Sequence, residues 1–155
     1  MANSNIDVGG NAPEFTLRDA DGIEWKLSDH LGKTVVLLFY PRDNTPVCTK
    51  QLCSIRDHWS DYQATGAEIV GISTDTVESH KKFAEKKHFP FKLLSDANAN
   101  VVEKYGAKSW IPGRSARAVV VVDKEGKIAY RKVEPISLLR PKDDDVLAAI
   151  RAAEG

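Results

Sequence analysis

Two cysteines are the residues of this chain best placed to do chemistry, and both lie in the segment PRDNTPVCTKQLC, residues 41–53. Thr45-Pro46 has the composition of a helix start: Thr as N-cap, and Pro at the first helical position, where the missing N–H costs nothing. Counting onward puts Cys48 at the third helical position. The unpaired N–H groups and positive dipole end of that first turn favour an anion. A thiolate is such an anion, so the Cys48 thiol is expected to ionise below the free value of about 8.5. The Thr45 hydroxyl, three residues earlier, can cap the backbone or turn toward the sulfur. Pro41 ends the preceding strand and can shield the sulfur from water. Each feature alone is common, and a single helical cysteine is most often a small buried apolar residue. The coincidence of strand, proline, N-cap and first-turn cysteine favours a nucleophile.

Cys53 adds a geometric condition. Five residues along an ideal helix separate Cα atoms by roughly 8–9 Å, with a rotation near 140° between the two side chains. A disulfide requires Cα atoms within about 7 Å and converging Cβ vectors. An intact helix therefore cannot hold a Cys48–Cys53 bond, and forming one requires the first helical turns to unwind. From the residues alone, Cys53 reads equally well as a buried apolar side chain.

The surrounding elements follow from hydrophobic patterning. Residues 34–40 (TVVLLFY) form a continuous apolar run rich in β-branched and aromatic types, which predicts a strand buried on both faces. Residues 67–73 (AEIVGIS) and 118–123 (AVVVVD) read the same way, and residues 127–133 form a hairpin with the latter across Lys124-Glu125-Gly126. Residues 15–18 and 23–27 flank the Asp21-Gly22 turn and read as a small hairpin. A helix is expected over residues 45–62, with Cys48, Leu52, Ile55 and Trp59 at spacings of three and four. Residues 77–87, 98–105 and 143–153 are further amphipathic helices. Strands alternating with helices imply an α/β protein with parallel pairs in its core and a mixed sheet once the hairpin joins. A thioredoxin-like arrangement fits this order.

The totals exclude several classes. With 155 residues, 42% hydrophobic and 28% charged, the chain is an ordinary globular sequence of single-domain size. Twenty-two basic and 22 acidic residues give no net charge, hence no global attraction to nucleic acid or an anionic membrane. The residues MANSNIDVGG carry neither a basic nor an apolar leader pattern, and no apolar run approaches the roughly 20 residues of a membrane span. The expectation is a cytoplasmic protein whose two cysteines are inert or catalytic rather than a permanent staple. His58, beside Asp57, reads as a helix-surface residue, because the cysteines and one histidine have no zinc spacing. Trp110 and Ile111, near Pro112-Gly113, are either exposed contacts or core.

PRDNTPVCTKQLC resembles the peroxiredoxin signature Pro-x-x-x-Thr-x-x-Cys at Pro41, Thr45 and Cys48. It is most similar to the bacterioferritin-comigratory-protein or Q-type subfamily, whose resolving cysteine follows the peroxidatic one by five residues, the position of Cys53. The resemblance continues through Gly10-Asn-Ala-Pro-Glu-Phe-Thr-Leu, Gly71-Ile-Ser-Thr-Asp, Phe91-Lys-Leu-Leu-Ser-Asp and Val102-Glu-Lys-Tyr-Gly-Ala. It implies a thioredoxin-like α/β fold with a central mixed sheet flanked by helices, as a single domain over residues 1–155. It also implies reduction of hydrogen peroxide and organic hydroperoxides through a Cys48 sulfenic acid and an intramolecular Cys48–Cys53 disulfide, recycled by thioredoxin or a similar dithiol. No metal or organic cofactor is implied, and the subfamily's habit points to a monomer, with a dimer open. The family's active-site arginine opens a later strand as Arg-x-Thr/Ser-aromatic-Val-Ile-Asp. Arg117 has that spacing, with valines at the Thr/Ser and aromatic positions, and Arg114 is its rival. Val47 stands where the subfamily often has Gly, and Gln51 where it often has Glu, which leaves the substrate range open. The other readings of the same residues are a disulfide oxidoreductase, whose usual Cys-x-x-Cys spacing is absent, a redox sensor, and a binding module with inert cysteines.

Overall fold

The structure is a computed structural model that describes residues 7–43, 46–108, 115–134 and 143–154. Seven strands form one sheet: β1 (Thr16–Asp19), β2 (Glu24–Lys26), β3 (Val35–Phe39), β4 (Glu68–Ser73), β5 (Lys92–Ser95), β6 (Arg117–Val122) and β7 (Ile128–Glu134). Their spatial order is β2-β1-β5-β4-β3-β6-β7. The β3–β4 and β4–β5 pairs are parallel, while β6 lies antiparallel to β3 and to β7. The helices are α1 (Pro46–Asp57), α2 (Trp59–Gln63), α3 (Val77–Lys87), α4 (Asn100–Lys104) and α5 (Asp143–Glu154). This is the mixed, helix-flanked, thioredoxin-like sheet expected from the sequence. None of the described helices is long and apolar enough to cross a membrane.

The middle strand explains the architecture. Every residue of β3 is at most 1% exposed, as a strand covered on both faces requires. Alternation then divides it: Val35, Leu37 and Phe39 pack on one side with Phe15, Trp25, Val101, Val102 and Tyr105. Val36 and Leu38 pack on the other with Leu52 and Ile55 of α1, Phe83 of α3, and Val146 and Ile150 of α5. Strand β6 follows the same rule, with Val119 and Val121 on the α1 side and Val120 and Val122 opposite. The side of the sheet beneath α1 is therefore the side reached by odd-numbered residues of β6.

Two local expectations are corrected, and one strand was not expected. The single helix over residues 45–62 is broken at His58, which leaves helical geometry (φ −106°, ψ 25°). Its Nδ1 lies 2.9 Å from the Ser54 carbonyl, and its backbone N–H donates to the same oxygen. The helix expected over residues 98–105 is shorter because Ala99 adopts left-handed geometry (φ 58°) and the Asp96 carboxylate takes the Val102 N–H at 2.8 Å. Strand β5 gave no strand signal: it is four residues long, and Leu93 and Leu94 bury on opposite faces without polar alternation.

Gly71 in β4 is required by close packing. A methyl group there would sit 2.8 Å from Leu93 Cδ2 and 3.2 Å from Tyr40 Cε1. Gly71→Ala is expected to destabilise the fold by about 1–3 kcal/mol, read as a lower urea midpoint with an unchanged slope. An unchanged midpoint would contradict this account of the packing.

Candidate active site

At the end of the sheet where β3 finishes lie Pro41, the first residue of α1 and, at the head of β6, Arg117. Tyr40 and Pro41 leave β3 there, residues 41–43 form a short loop, and α1 begins at Pro46. Pro46 is the first helical residue, so Cys48 falls in the first turn and Cys53 further along the same helix. Cys53 is a free, half-buried thiol. Thr45 and Arg114 lie outside the described residues, as do Trp110 and Ile111; the Cys48 side chain is also outside them.

Arg117 is the first residue of β6 and is only 1% exposed. It lies one residue past the Phe39–Ala118 pair, at the edge where Tyr40 leaves β3. It shares the parity of Val119 and Val121, so strand alternation directs it to the side of the sheet that carries α1. A buried guanidinium needs polar partners, and Arg117 does not stand free of them.

The second half of α1 is anchored. Leu52 and Ile55 are buried in the core. Arg56 Nη1 donates to the Lys87 carbonyl at the end of α3 at 2.6 Å, and its Nε to Asp57 Oδ1 at 3.0 Å. The hydrogen bond that Arg56 donates to Asp57 raises its proton affinity, and partial desolvation opposes it. A cation therefore stands one turn beyond Cys53.

Sequence reasoning did not find the polar network on which the loop rests. The Tyr40 hydroxyl donates to Asp43 Oδ1 at 2.7 Å, and Ser79 Oγ to Asp43 Oδ2 at 2.7 Å. His80 Nδ1 lies 2.9 Å from Asp43 Oδ2, and His80 Nε2 lies 3.0 Å from the Leu94 carbonyl. A carbonyl only accepts, so Nε2 carries a hydrogen. The Asp43 backbone N–H donates to Asp75 Oδ2 at 2.7 Å, an oxygen that also accepts from Ser73 Oγ at 2.7 Å. Burial first, and then the neighbouring Asp43 carboxylate, push the Tyr40 hydroxyl well above its ordinary pKa, so it remains a donor. Asp43, Asp75 and His80 bring ligand-type atoms within 4.8 Å of one another. Those atoms already serve in these hydrogen bonds, and the arrangement reads as an anchor rather than a metal centre. The available sequence signal was the polar run Ser73-Thr74-Asp75-Thr76 directly after a buried strand.

Comparison with known proteins agrees with this geometry. The AhpC/TSA family profile matches residues 8–131. The chain belongs to the AhpC/TSA family. This AhpC/TSA protein is 46% identical over 126 residues to the chloroplastic peroxiredoxin Q of Triticum aestivum, covering 81% of this chain and 58% of the wheat protein. It is 47% identical over 102 residues to the putative peroxiredoxin bcp of Coxiella burnetii, covering 66% of this chain and 68% of that protein. Among solved structures it resembles the peroxidoxin BcpB of Mycobacterium tuberculosis, with TM-score 0.84, 35% identity, and coverage of 96% of this chain and 98% of that one. The Q-type and bcp resemblance read from residues 41–53 is thus upheld.

The cytoplasmic expectation is corrected by the same relatives. The wheat, Sedum lineare and Populus jackii proteins are chloroplastic. The physical reason is that a targeting address is read from a segment separate from the folded domain, so the domain's residues do not encode a compartment. This AhpC/TSA protein spans a little over half the length of several of those relatives.

Proposed function

We propose that the chain is a thiol peroxidase that reduces hydrogen peroxide and organic hydroperoxides, with Cys48 as the peroxidatic and Cys53 as the resolving cysteine. One observation carries the reading: α1 starts at Pro46, just after the loop that leaves the central strand, and contains both cysteines, while buried Arg117 heads β6, the strand paired with that central strand. Membership of the AhpC/TSA family and the names of the relatives support it.

The Cys48 thiolate attacks one peroxide oxygen, an S–O bond forms as the O–O bond breaks, and the other oxygen leaves with a proton as water or an alcohol. Cys48 is left as a sulfenic acid. Arg117, the Thr45 hydroxyl and the N–H groups of the first helical turn stabilise the thiolate and the charge moving onto the leaving oxygen. Pro41 covers the sulfur from solvent. The Cys53 thiolate then attacks the Cys48 sulfur, the S–S bond forms, and hydroxide departs as water. Thioredoxin or a similar dithiol restores both thiols by exchange and is itself oxidised to a disulfide.

Because the cysteines share one helix, the resolving step requires local unwinding. Leu52, Ile55 and the Arg56–Lys87 contact hold the second half of α1, so the unwinding is assigned to the turns before Leu52. Cys53 is then the fixed partner and Cys48 the moving one.

Cys53→Ser tests this division. Its first oxidation by peroxide should proceed within about threefold of the unmodified protein, while thioredoxin-dependent turnover falls by more than about tenfold. Full turnover with thioredoxin in Cys53→Ser would remove Cys53 from the cycle. Failure of reduced unmodified protein to consume any hydroperoxide would overturn the peroxidase reading itself.

A further inference from the structure

We propose that Asp43 and His80 are positioning residues: a buried, hydrogen-bonded pair that pins the loop between β3 and α1 and so sets where the helix start presents Cys48. The proposal rests on the peroxidase reading and adds residues to it that never touch peroxide.

Asp43 is 6% exposed and His80 is fully buried, although both are polar and neither is on a core strand. A buried carboxylate is costly unless several donors meet it. Two hydroxyls donate to Asp43, those of Tyr40 and Ser79, and His80 Nδ1 lies 2.9 Å from its Oδ2. Those groups come from the end of β3 and from the first turn and a half of α3. The Thr76 side chain caps α3 by accepting the Ser79 N–H at 3.1 Å, which fixes the turn bearing Ser79 and His80. His80 carries the link onward to β5 through Nε2 and the Leu94 carbonyl. The backbone of Asp43 is held separately, by Asp75 after β4.

The loop therefore hangs from three neighbouring strand ends and one helix, by side chain and main chain together. Only Asn44 and Thr45 separate Asp43 from the first residue of α1. A shift of the Asp43 anchor passes directly into the helix start, where the first-turn N–H groups must face the sulfur. The same anchor gives α1 a fixed origin from which to unwind and return.

The test uses Asp43→Asn and His80→Asn in the Cys53→Ser background, where Cys48 is followed alone. In Asp43→Asn the new NH2 group confronts donors. His80→Asn keeps a polar group toward Asp43 and loses the link to Leu94. Cys48 is titrated by thiolate absorbance, and its oxidation by hydrogen peroxide is followed by stopped flow. Asp43→Asn should raise the Cys48 midpoint by about one pH unit and slow oxidation about tenfold, with His80→Asn intermediate. Tyr40→Phe and Ser79→Ala, each removing one donor, should move both readouts the same way by about threefold if Asp43→Asn does not fold. Folded variants with the parent midpoint and rate, whatever their melting temperature, would overturn the proposal and leave the peroxidase reading standing. A parent protein whose Cys48 is itself unreactive toward peroxide would overturn both.

Discussion

Cys48→Ser is expected to reduce peroxide consumption to the uncatalysed background, a fall of at least about three orders of magnitude. A free cysteine thiol ionises near pH 8.5 and lower at a helix start, whereas a serine hydroxyl stays protonated there and has no comparable nucleophilicity toward an O–O bond. The substitution is nearly isosteric, and Ser and Cys differ little in helix propensity. Stability by urea titration should therefore stay close to the parent value while activity disappears. Peroxide consumption by Cys48→Ser at the parent rate would place the chemistry elsewhere.

The second large effect concerns Arg117. Its position at the head of β6, on the α1 side of the sheet and almost fully buried, supplies a permanent positive charge at the end of the sheet where α1 starts. Arg117→Lys keeps one charge but loses the planar fork of donors that can meet two atoms at once. Oxidation of Cys48 is expected to slow by about 10²–10³, the usual cost of removing one preorganised donor from developing negative charge. Saturation behaviour with different hydroperoxides should change little, because the loss falls on the transition state rather than on ground-state binding. Arg114→Lys, examined in parallel, should leave the rate within about twofold. The reverse outcome, a slow Arg114→Lys and a normal Arg117→Lys, would exchange the roles of the two arginines.

The contrast between these predictions and the Asp43–His80 anchor shows what the amino-acid order exposes. The helix start at Pro46 was legible because capping is local: Thr45, Pro46 and Cys48 lie within one turn, and their types alone specify it. Strands β3, β4 and β6 were legible because a strand buried on both faces needs an unbroken apolar run, and TVVLLFY, AEIVGIS and AVVVVD supply one. Arg117 was singled out only through the resemblance to the family's Arg-x-Thr/Ser-aromatic-Val-Ile-Asp segment. Strand β5 was not, because a four-residue KLLS segment carries too few residues for periodicity to register. The end of α1 was not, because the break depends on His58 folding its ring back to the Ser54 carbonyl. Asp43 and His80 stand 37 residues apart, and only the parallel order β5-β4-β3 brings α3 against the loop after β3. Long-range polar pairs of this kind leave no periodic trace, although the polar run at residues 73–76 marks where one end of the network lies.

In the proposed reading, local helix-start physics prepares the Cys48 sulfur for ionisation, and a buried network holds that helix start to the sheet. The most direct test of their joint consequence is the intact mass of the reduced protein after one equivalent of hydrogen peroxide without reductant. The unmodified chain should lose two hydrogen atoms as Cys48 and Cys53 join, and Cys53→Ser should gain one oxygen at Cys48. Unchanged masses in both proteins, with the peroxide left unconsumed, would contradict the account.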